Sequence, residues 1–186
     1  MARGLIFAAR HPRPLVPGRL CYGRTDVPLA EPPERGADAL IAAVGDPVER
    51  IVSSPAQRAR LVAEAVRTRT GAPLHLDDRL AEMDFGAWEN RPWTALPRTE
   101  IDAWAADPLR FHPGGGESVM EVLARVRRAW TGVASSAENT LVVTHAGPIR
   151  CLLHLVRGVP LPEATQASIA FGAVERFEPR GYKPLL

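Results

Sequence analysis

Two arginines and two histidines stand where predicted buried strands end. Each directly follows a short apolar run or lies in the first turn of the helix after one: Arg10, His11, Arg58 and His145. Because the carboxyl ends of parallel strands lie along one edge of a sheet, we expect the four side chains to share a crevice. A guanidinium group is planar, permanently charged and able to donate two parallel hydrogen bonds, which suits phosphate. The convergence therefore predicts an anion site.

The elements that must position these residues alternate along the chain between apolar runs and helical patterns. The predicted strands are residues 5–9, 50–53, 73–77 and 139–144, with 168–171 and 174–177 as edge strands. The predicted helices are residues 34–45, 55–69, 97–105, 119–130 and 148–156. This order predicts a three-layer α/β/α sandwich with a mostly parallel sheet, built as a single domain over residues 1–186.

Local signals mark where several helices begin and end. Ser54 with Gln57, and Ser118 with Glu121, have the spacing of capping boxes, which predicts both serines as N-caps. Gly158 is expected to end the helix that follows the last buried strand. The N-terminus of the helix predicted after Ser54 would add backbone donors and a positive dipole end to the anion site.

Two long segments carry no regular pattern. Residues 12–33 contain six prolines, and an ordered loop of this length inside a compact domain is usually functional. Residues 88–113 form an irregular excursion around one short helix, and they contain Trp88, Trp93 and Trp104. The sequence leaves open whether these tryptophans form an interface or a core.

Composition restricts the partners and the compartment. The 23 basic and 21 acidic side chains give a net charge of +2, which favours neither a nucleic acid nor a membrane surface as a general partner. The two cysteines form no disulfide framework, and the apolar N-terminal run is too short for a signal peptide. We expect a soluble cytoplasmic protein, and the sequence leaves its oligomeric state open.

Five motifs follow one another along the chain, at residues 10–11, 53–59, 80–89, 115–118 and 143–150. In this order they resemble the histidine phosphatase superfamily, also called phosphoglycerate mutase-like. Residues 26–29, the tryptophan-rich middle and the short chain resemble the α-ribazole phosphatase branch most.

The resemblance implies a role for each matched residue. His11 would be the nucleophile that forms a phosphohistidine, and it must be neutral to attack phosphorus, a state that neighbouring arginines favour. Arg10, Arg58 and His145 would hold the phosphoryl oxygens. Glu82 would be the general acid and base. Since arginines favour an ionised carboxylate, we expect Glu82 to take up its proton chiefly in the substrate complex, which predicts an activity optimum on the acidic side.

The loop after the nucleophile both matches and departs from the family pattern. Tyr22 and Gly23 match a substrate-contact position, which makes them candidate substrate-binding residues. Pro12, Pro14 and Pro17 stand where the family usually has glycine and small polar residues. Proline has no N–H, so secondary phosphate contacts must be missing or come from elsewhere.

No metal or cofactor is predicted. His75, His112 and His154 lack the spacing of metal ligands, and the cysteines do not cluster. Cys151 and Arg157 have the C-x5-R spacing of cysteine phosphatases. The residues between them instead have the pattern of a helix interior, in which the backbone N–H groups are already bonded.

The resemblance thus implies a phosphatase that hydrolyses a small-molecule phosphate monoester, with α-ribazole phosphate as the substrate suggested by the branch. Two alternatives stay open. One is a phosphoglycerate mutase, which must keep its phosphohistidine from water. The other is an inactive relative that binds a phosphorylated ligand or a partner protein. This alternative stays open because the prolines of the loop cannot donate an N–H to phosphate.

Overall fold

The computed structural model describes residues 4–16 and 19–178, which form a mixed α/β fold. The strands are β1 (Ile6–Arg10), β2 (Arg50–Ser53), β3 (Leu74–Leu76), β4 (Thr140–Thr144) and β5 (Val174–Phe177). The helices are α1 (Pro33–Val44), α2 (Gln57–Thr70), α3 (Arg98–Ala106), α4 (Val119–Ala134), α5 (Ala146–Arg157) and α6 (Leu161–Gln166).

The five strands form one sheet in the order β3-β2-β4-β1-β5. The first four are mutually parallel, and β5 runs antiparallel to β1 at the edge. Helices connect the parallel strands, as crossover connections require. The predicted mostly parallel sheet is therefore confirmed.

Helices cover both faces of the sheet, and successive strand residues point to opposite faces. Ile6 and Ala8 of β1 pack into one core with α4, α5 and α6, whereas Phe7 and Ala9 pack into a second core with α1 and α2. This explains why the central strands are apolar without alternation. The two cores make the three layers of the predicted α/β/α sandwich.

Two of the predicted helix signals are confirmed. Ser118 and Glu121 form a reciprocal capping box at the start of α4, in which the Ser118 N–H donates to Glu121 Oε2 over 2.8 Å. Gly158 ends α5 with a φ of 70°, a left-handed conformation that glycine adopts without a Cβ penalty.

The predicted capping box at Ser54 is wrong. Helix α2 begins at Gln57, with Ala56 as its N-cap and no side-chain capping bond. The Ser54 hydroxyl instead accepts the N–H of Ala56 over 3.3 Å, a local turn that delays the helix. The same hydroxyl also contacts His145, which is a long-range use that local sequence does not reveal.

Three other expectations near the C-terminus differ from the structure. The predicted strand at 168–171 is wrong: these residues form an irregular segment that ends in a turn, and the Ile169 carbonyl oxygen accepts a bond from Arg10. The carbonyl oxygen of the preceding Ala167 accepts one from Arg150. Helix α5 begins two residues earlier than predicted, and α6 was not predicted at all.

The tryptophan-rich excursion forms a small third core. Trp88 is buried, and its ring lies 5.7 Å from that of Trp104, which stacks on Trp93 with a centroid distance of 6.1 Å. Phe85 packs edge-on against both of the latter rings. The three tryptophans therefore form a core, and Phe85, three residues after Glu82, packs against it.

Candidate active site

The carboxyl ends of three neighbouring strands bring the candidate site together. Arg10 at the end of β1 is in register with Thr144 at the end of β4. His11 and His145 come next, so both imidazoles leave the sheet at one edge, with ring centroids 5.0 Å apart. Arg58 reaches the same point from the first turn of α2. The structure thus brings these four predicted site residues together.

His11 is a buried imidazole whose proton position is fixed by its neighbours. Its Nδ1 lies 2.7 Å from the carbonyl oxygen of Pro12, which can only accept, so Nδ1 carries the proton. Its Nε2 accepts a bond of 3.3 Å from Arg58 Nε. Burial, followed by the charge of Arg58, lowers the pKa of His11 to about 3. The ring is therefore neutral near neutral pH, with its lone pair on Nε2.

The prolines of the loop leave this arrangement intact. Pro12 offers no N–H to an anion, but its carbonyl group fixes the tautomer of His11. Pro14 pairs with Leu29 in an isolated antiparallel bridge, which ties the loop back on itself. Pro17 lies outside the described residues. At Pro12 and Pro14 the departure from the family pattern therefore removes possible anion donors and leaves His11 in contact with Arg58.

Arg58 is fully buried and held by backbone carbonyl groups. Its Nη1 donates to Thr25 over 2.9 Å and its Nη2 to Gly23 over 2.6 Å. Burial lowers the pKa of Arg58, and the negative charge of Glu82 opposes that shift. The guanidinium thus has a fixed orientation beside His11, as a preorganised charge requires.

The loop that holds Arg58 is itself fixed by Glu89. Its carboxylate accepts the backbone N–H groups of Arg24 and Thr25 over 2.7 Å and 2.6 Å, and that of Phe85 over 3.2 Å. Burial raises the pKa of Glu89, but hydrogen bonds from Thr25 and its neighbours lower it by more. The pKa is therefore below its usual value, and the carboxylate stays charged. Glu89 therefore pins the loop.

Tyr22 and Gly23, the candidate substrate-binding residues of the loop, lie beside the arginines. The centroid of the Tyr22 ring lies 5.4 Å from Arg58 Cζ. Burial raises the pKa of Tyr22, and the charge of Arg10 opposes that shift. The Gly23 carbonyl oxygen accepts a hydrogen bond from Arg58 Nη2, and a Cβ at position 23 would collide with the carbonyl oxygen of Met83. Gly23 thus acts on the site through Arg58.

His145 is fully buried and contacts a serine that the sequence did not single out for this role. Its Nε2 lies 2.8 Å from Ser54 Oγ. Burial and then the charge of Arg58 hold the pKa of His145 well below its usual value. Its Nδ1 is buried without a hydrogen-bond partner among residues 4–16 and 19–178. The ring therefore has one nitrogen anchored and one still available for hydrogen bonding.

Arg10 is oriented by a segment that the sequence assigned to an edge strand. Its Nη1 donates to the Ile169 carbonyl oxygen over 2.5 Å, and its Cζ lies 3.7 Å from the centroid of the Phe171 ring. The ring of Phe171 also lies 5.6 Å from that of His11. Arg10 Nε, like His145 Nδ1, is buried and has no partner within the described part of the chain. The alternating pattern of residues 168–171 predicted a strand and did not indicate these contacts with Arg10.

Glu82 reaches the site from the turn that follows β3. Its Oε1 accepts the N–H of Met83 over 3.0 Å and that of Gly147, at the start of α5, over 3.1 Å. The Glu82 charge acts on both Arg10 and Arg58. A Cβ at position 147 would collide with this carboxylate, so a larger residue there would force the Glu82 side chain to move. The structure thus joins Glu82 to the other four residues.

An arginine deeper in the fold holds the backbone around Glu82. Arg125 of α4 is buried, and its guanidinium donates to the carbonyl groups of Arg79, Ala81 and Glu82 over 2.6–3.0 Å. It also forms a two-point ion pair with Glu117 over 2.8 Å and 3.0 Å. The sequence did not single out Arg125, because nothing local marks a helical arginine as buried.

The arrangement suits a tetrahedral oxyanion next to a nitrogen nucleophile. Arg10 Nε and His145 Nδ1 supply two buried positions for hydrogen bonds, and two guanidinium charges flank the neutral ring of His11. The N-terminus of α5 adds a positive dipole end close to Glu82. Donors of this kind can stabilise the equatorial oxygens of a phosphoryl group during its transfer.

Other chemistry receives less support. No three His, Cys, Asp or Glu residues come close enough to hold a metal ion in the described part of the chain. Cys151 lies inside α5, and burial raises the pKa of its thiol to about 12. The C-x5-R segment is therefore a helix, as predicted. None of the helices among residues 4–16 and 19–178 combines the length and apolar character that a bilayer requires.

Fold and site together define a protein that positions a neutral histidine and charged donors around an oxyanion. The chain belongs to the histidine phosphatase superfamily (branch 1), whose sequence model matches residues 6–186. The resemblance seen in the sequence motifs is thereby confirmed.

Individual relatives differ in size and in assigned activity. The bifunctional protein Rv2228c of Mycobacterium tuberculosis is 36% identical over 113 residues, which are 58% of this chain and 31% of that protein. The chain therefore spans less than a third of that relative. The probable phosphoglycerate mutase GpmB of Cronobacter sakazakii is 30% identical over 76% of this chain and 69% of its own. The crystal structure of the α-ribazole phosphatase from Shigella flexneri superposes with a TM-score of 0.81 at 26% identity, covering 92% of this chain and 89% of that one.

Proposed function

We propose that the protein is a phosphatase that hydrolyses a small-molecule phosphate monoester through a phosphohistidine on His11. The observation that carries the proposal is the state of this ring. Pro12 holds the proton on Nδ1, and burial beside Arg58 keeps the ring neutral, so the lone pair lies on Nε2. It accepts the Arg58 Nε–H over 3.3 Å, and attack on phosphorus replaces this hydrogen bond. A histidine of ordinary pKa would be partly protonated at neutral pH, and the protonated fraction could not attack phosphorus.

The reaction then proceeds in two balanced displacements. In the first, His11 Nε2 forms a bond to phosphorus, the bond from phosphorus to the ester oxygen breaks, and Glu82 gives its proton to the departing alkoxide. In the second, Glu82 takes a proton from water, the hydroxide oxygen bonds to phosphorus, and the bond from phosphorus to Nε2 breaks. Arg10, Arg58 and His145 stabilise the equatorial oxygens in both steps.

The finer assignment is α-ribazole phosphate as the substrate, in the cytoplasm. The similarity to the Shigella flexneri enzyme and the shared branch motifs support the substrate. The two buried cysteines, which form no disulfide, are in keeping with a reducing compartment. The balanced charge also favours no nucleic acid or membrane as a partner.

A phosphoglycerate mutase is the second candidate, because GpmB of Cronobacter sakazakii is among the relatives. A mutase returns the phosphoryl group to a hydroxyl of the same substrate, whereas a phosphatase gives it to water. Conversion of 3-phosphoglycerate to 2-phosphoglycerate without phosphate release would favour the mutase.

The test is release of inorganic phosphate from p-nitrophenyl phosphate at pH 5 to 8, with EDTA present. Wild type is compared with His11→Ala and with His75→Ala, a matched control in which an exposed histidine of the edge strand β3 is removed. We expect turnover in wild type and in the His75 variant and its loss in the His11 variant. Turnover unaffected by His11→Ala would refute the proposal. Silence of all three proteins with retained phosphate binding would favour the inactive relative.

A further inference from the structure

A cavity of about 320 Å³ opens beside the Glu82 carboxylate, between α4, α5 and α6. We call it the apolar cavity, because its walls are mainly carbon. Its lining includes Glu82, Phe85, Trp104, Val119, Leu161 and Thr165. For comparison, an engineered apolar cavity of about 150 Å³ holds benzene, so this space has room for more than one ring.

The apolar cavity lies next to the proton donor and apart from the phosphoryl-binding groups. Glu82 and Gly147, which donates its N–H to the Glu82 carboxylate, both line it. His11, Arg58 and His145 are not among its lining residues. A general acid must lie within hydrogen-bond distance of the leaving oxygen, so the leaving group extends from Glu82 away from these donors. Glu82 lines two cavities, and the apolar cavity is the larger of them.

A second, smaller cavity also touches Glu82. It measures about 200 Å³, and its lining includes the charged side chains of Arg24 and Asp26. A small polyol would find hydrogen-bond partners there, whereas an apolar group would bury charged atoms without compensation. The two cavities therefore predict opposite substrate preferences.

We propose that the apolar cavity binds the alcohol part of the substrate, and that this alcohol carries an apolar body of ring size. The inference rests on the proposed function and specifies its substrate class. Apart from Glu82, the charged group in the lining is Arg150, whose Nε donates to the Ala167 carbonyl oxygen over 2.9 Å. The remaining wall contacts a ring mainly through aromatic and aliphatic carbon.

The test compares ethyl phosphate, 2-phenylethyl phosphate and glycerol 3-phosphate, whose primary alkoxide leaving groups have similar intrinsic reactivity. Burial of a ring favours binding by about tenfold or more, so we expect kcat/KM for 2-phenylethyl phosphate to exceed that for ethyl phosphate by at least this factor. Glycerol 3-phosphate should show no such advantage.

A filled cavity provides the matched comparison. Thr165→Trp inserts a ring into the apolar cavity, and Glu163→Trp adds the same ring to an exposed position of α6 that does not line it. We expect Thr165→Trp to reduce the preference for 2-phenylethyl over ethyl phosphate at least tenfold and Glu163→Trp to preserve it. Thr165→Phe serves if the larger substitution prevents folding, which residual turnover of ethyl phosphate reports.

The outcomes separate this inference from the proposed function. Equal kcat/KM values across the series, all lost in His11→Ala, would overturn the apolar leaving group and leave the phosphatase in place. A preference for glycerol 3-phosphate that Thr165→Trp does not alter would assign the leaving group to the smaller cavity and overturn the inference too. Failure to hydrolyse any of these esters or p-nitrophenyl phosphate would overturn both.

Discussion

Replacement of Ser54 by alanine tests how the second imidazole is controlled. Ser54 Oγ accepts the Ala56 N–H over 3.3 Å and lies 2.8 Å from His145 Nε2. No other acceptor for the hydroxyl proton is found in the described part of the chain, so the hydroxyl donates to Nε2. His145 then carries its own proton on Nδ1, the buried nitrogen that has no partner there, and can donate it to a phosphoryl oxygen.

The size of the effect follows from the burial of this pair. Ser54 and His145 are both fully buried, so water does not replace the lost hydroxyl. A buried acceptor left without its partner costs about 1–3 kcal/mol, which corresponds to roughly a fivefold to hundredfold change in an equilibrium or rate constant. The ring can avoid this cost by moving its proton to Nε2, but Nδ1 then has no proton to donate to a phosphoryl oxygen. Either response lowers kcat/KM by a factor in this range.

The assay combines kinetics with a direct view of the proton. We expect Ser54→Ala to lower kcat/KM for p-nitrophenyl phosphate and to weaken inhibition by vanadate, while the ¹⁵N chemical shifts of His145 report the altered tautomer. Ser53→Ala is the matched control, because Ser53 is equally buried but its hydroxyl donates to the Ser54 carbonyl oxygen over 2.9 Å. Equal kinetics in the two variants, with unchanged ¹⁵N shifts in Ser54→Ala, would refute the reasoning.

Three further predictions follow from burial and contact. Because the pKa of His11 is about 3 in the folded chain and about 6.5 in the unfolded chain, the unfolded state binds the proton first. The free energy of unfolding should therefore fall as the pH drops from 7 towards 3. His11 contributes up to about 1.4 kcal/mol per pH unit, in addition to the contribution of the buried His145, so chemical denaturation of His11→Gln should show a shallower dependence. Arg125→Ala leaves Glu117 without its buried partner and should destabilise the fold by about 3 kcal/mol in urea titrations, whereas Arg128→Ala, on the exposed face of α4, should change it by less than about 0.5 kcal/mol. Gly147→Ala forces the Glu82 carboxylate aside and should lower kcat about tenfold or more with a smaller change in vanadate affinity; an unchanged kcat would show that this approach is dispensable.

The parts of the site that the sequence predicts are those set by short-range patterns and topology. The apolar runs before Arg10 and His145 identify buried strands, and parallel pairing brings their carboxyl ends to one edge. Arg58 follows from its place in the first turn of a helix after such a strand. The fold class follows from the same alternation of strand and helix.

The remaining parts depend on contacts between distant segments. Ser54 satisfies the local spacing of a capping box, but its hydroxyl contacts His145, 91 residues away. Residues 168–171 alternate like a strand, yet the Ile169 carbonyl group and the Phe171 ring contact Arg10. Arg125 lies in an ordinary helix pattern, and only the packing of the turn around Glu82 makes it a buried anchor. Propensity and periodicity carry no information on such partners.

Trapping the phosphorylated enzyme tests the central claim most directly. The protein is mixed with ³²P-labelled p-nitrophenyl phosphate, quenched in alkali within milliseconds, and digested for peptide mapping. The account predicts a label that survives alkali, is lost in acid and maps to the peptide that contains His11. It also predicts that His11→Ala takes up no label and releases no phosphate. A label on another residue, or phosphate release at the wild-type rate by His11→Ala, would contradict the account.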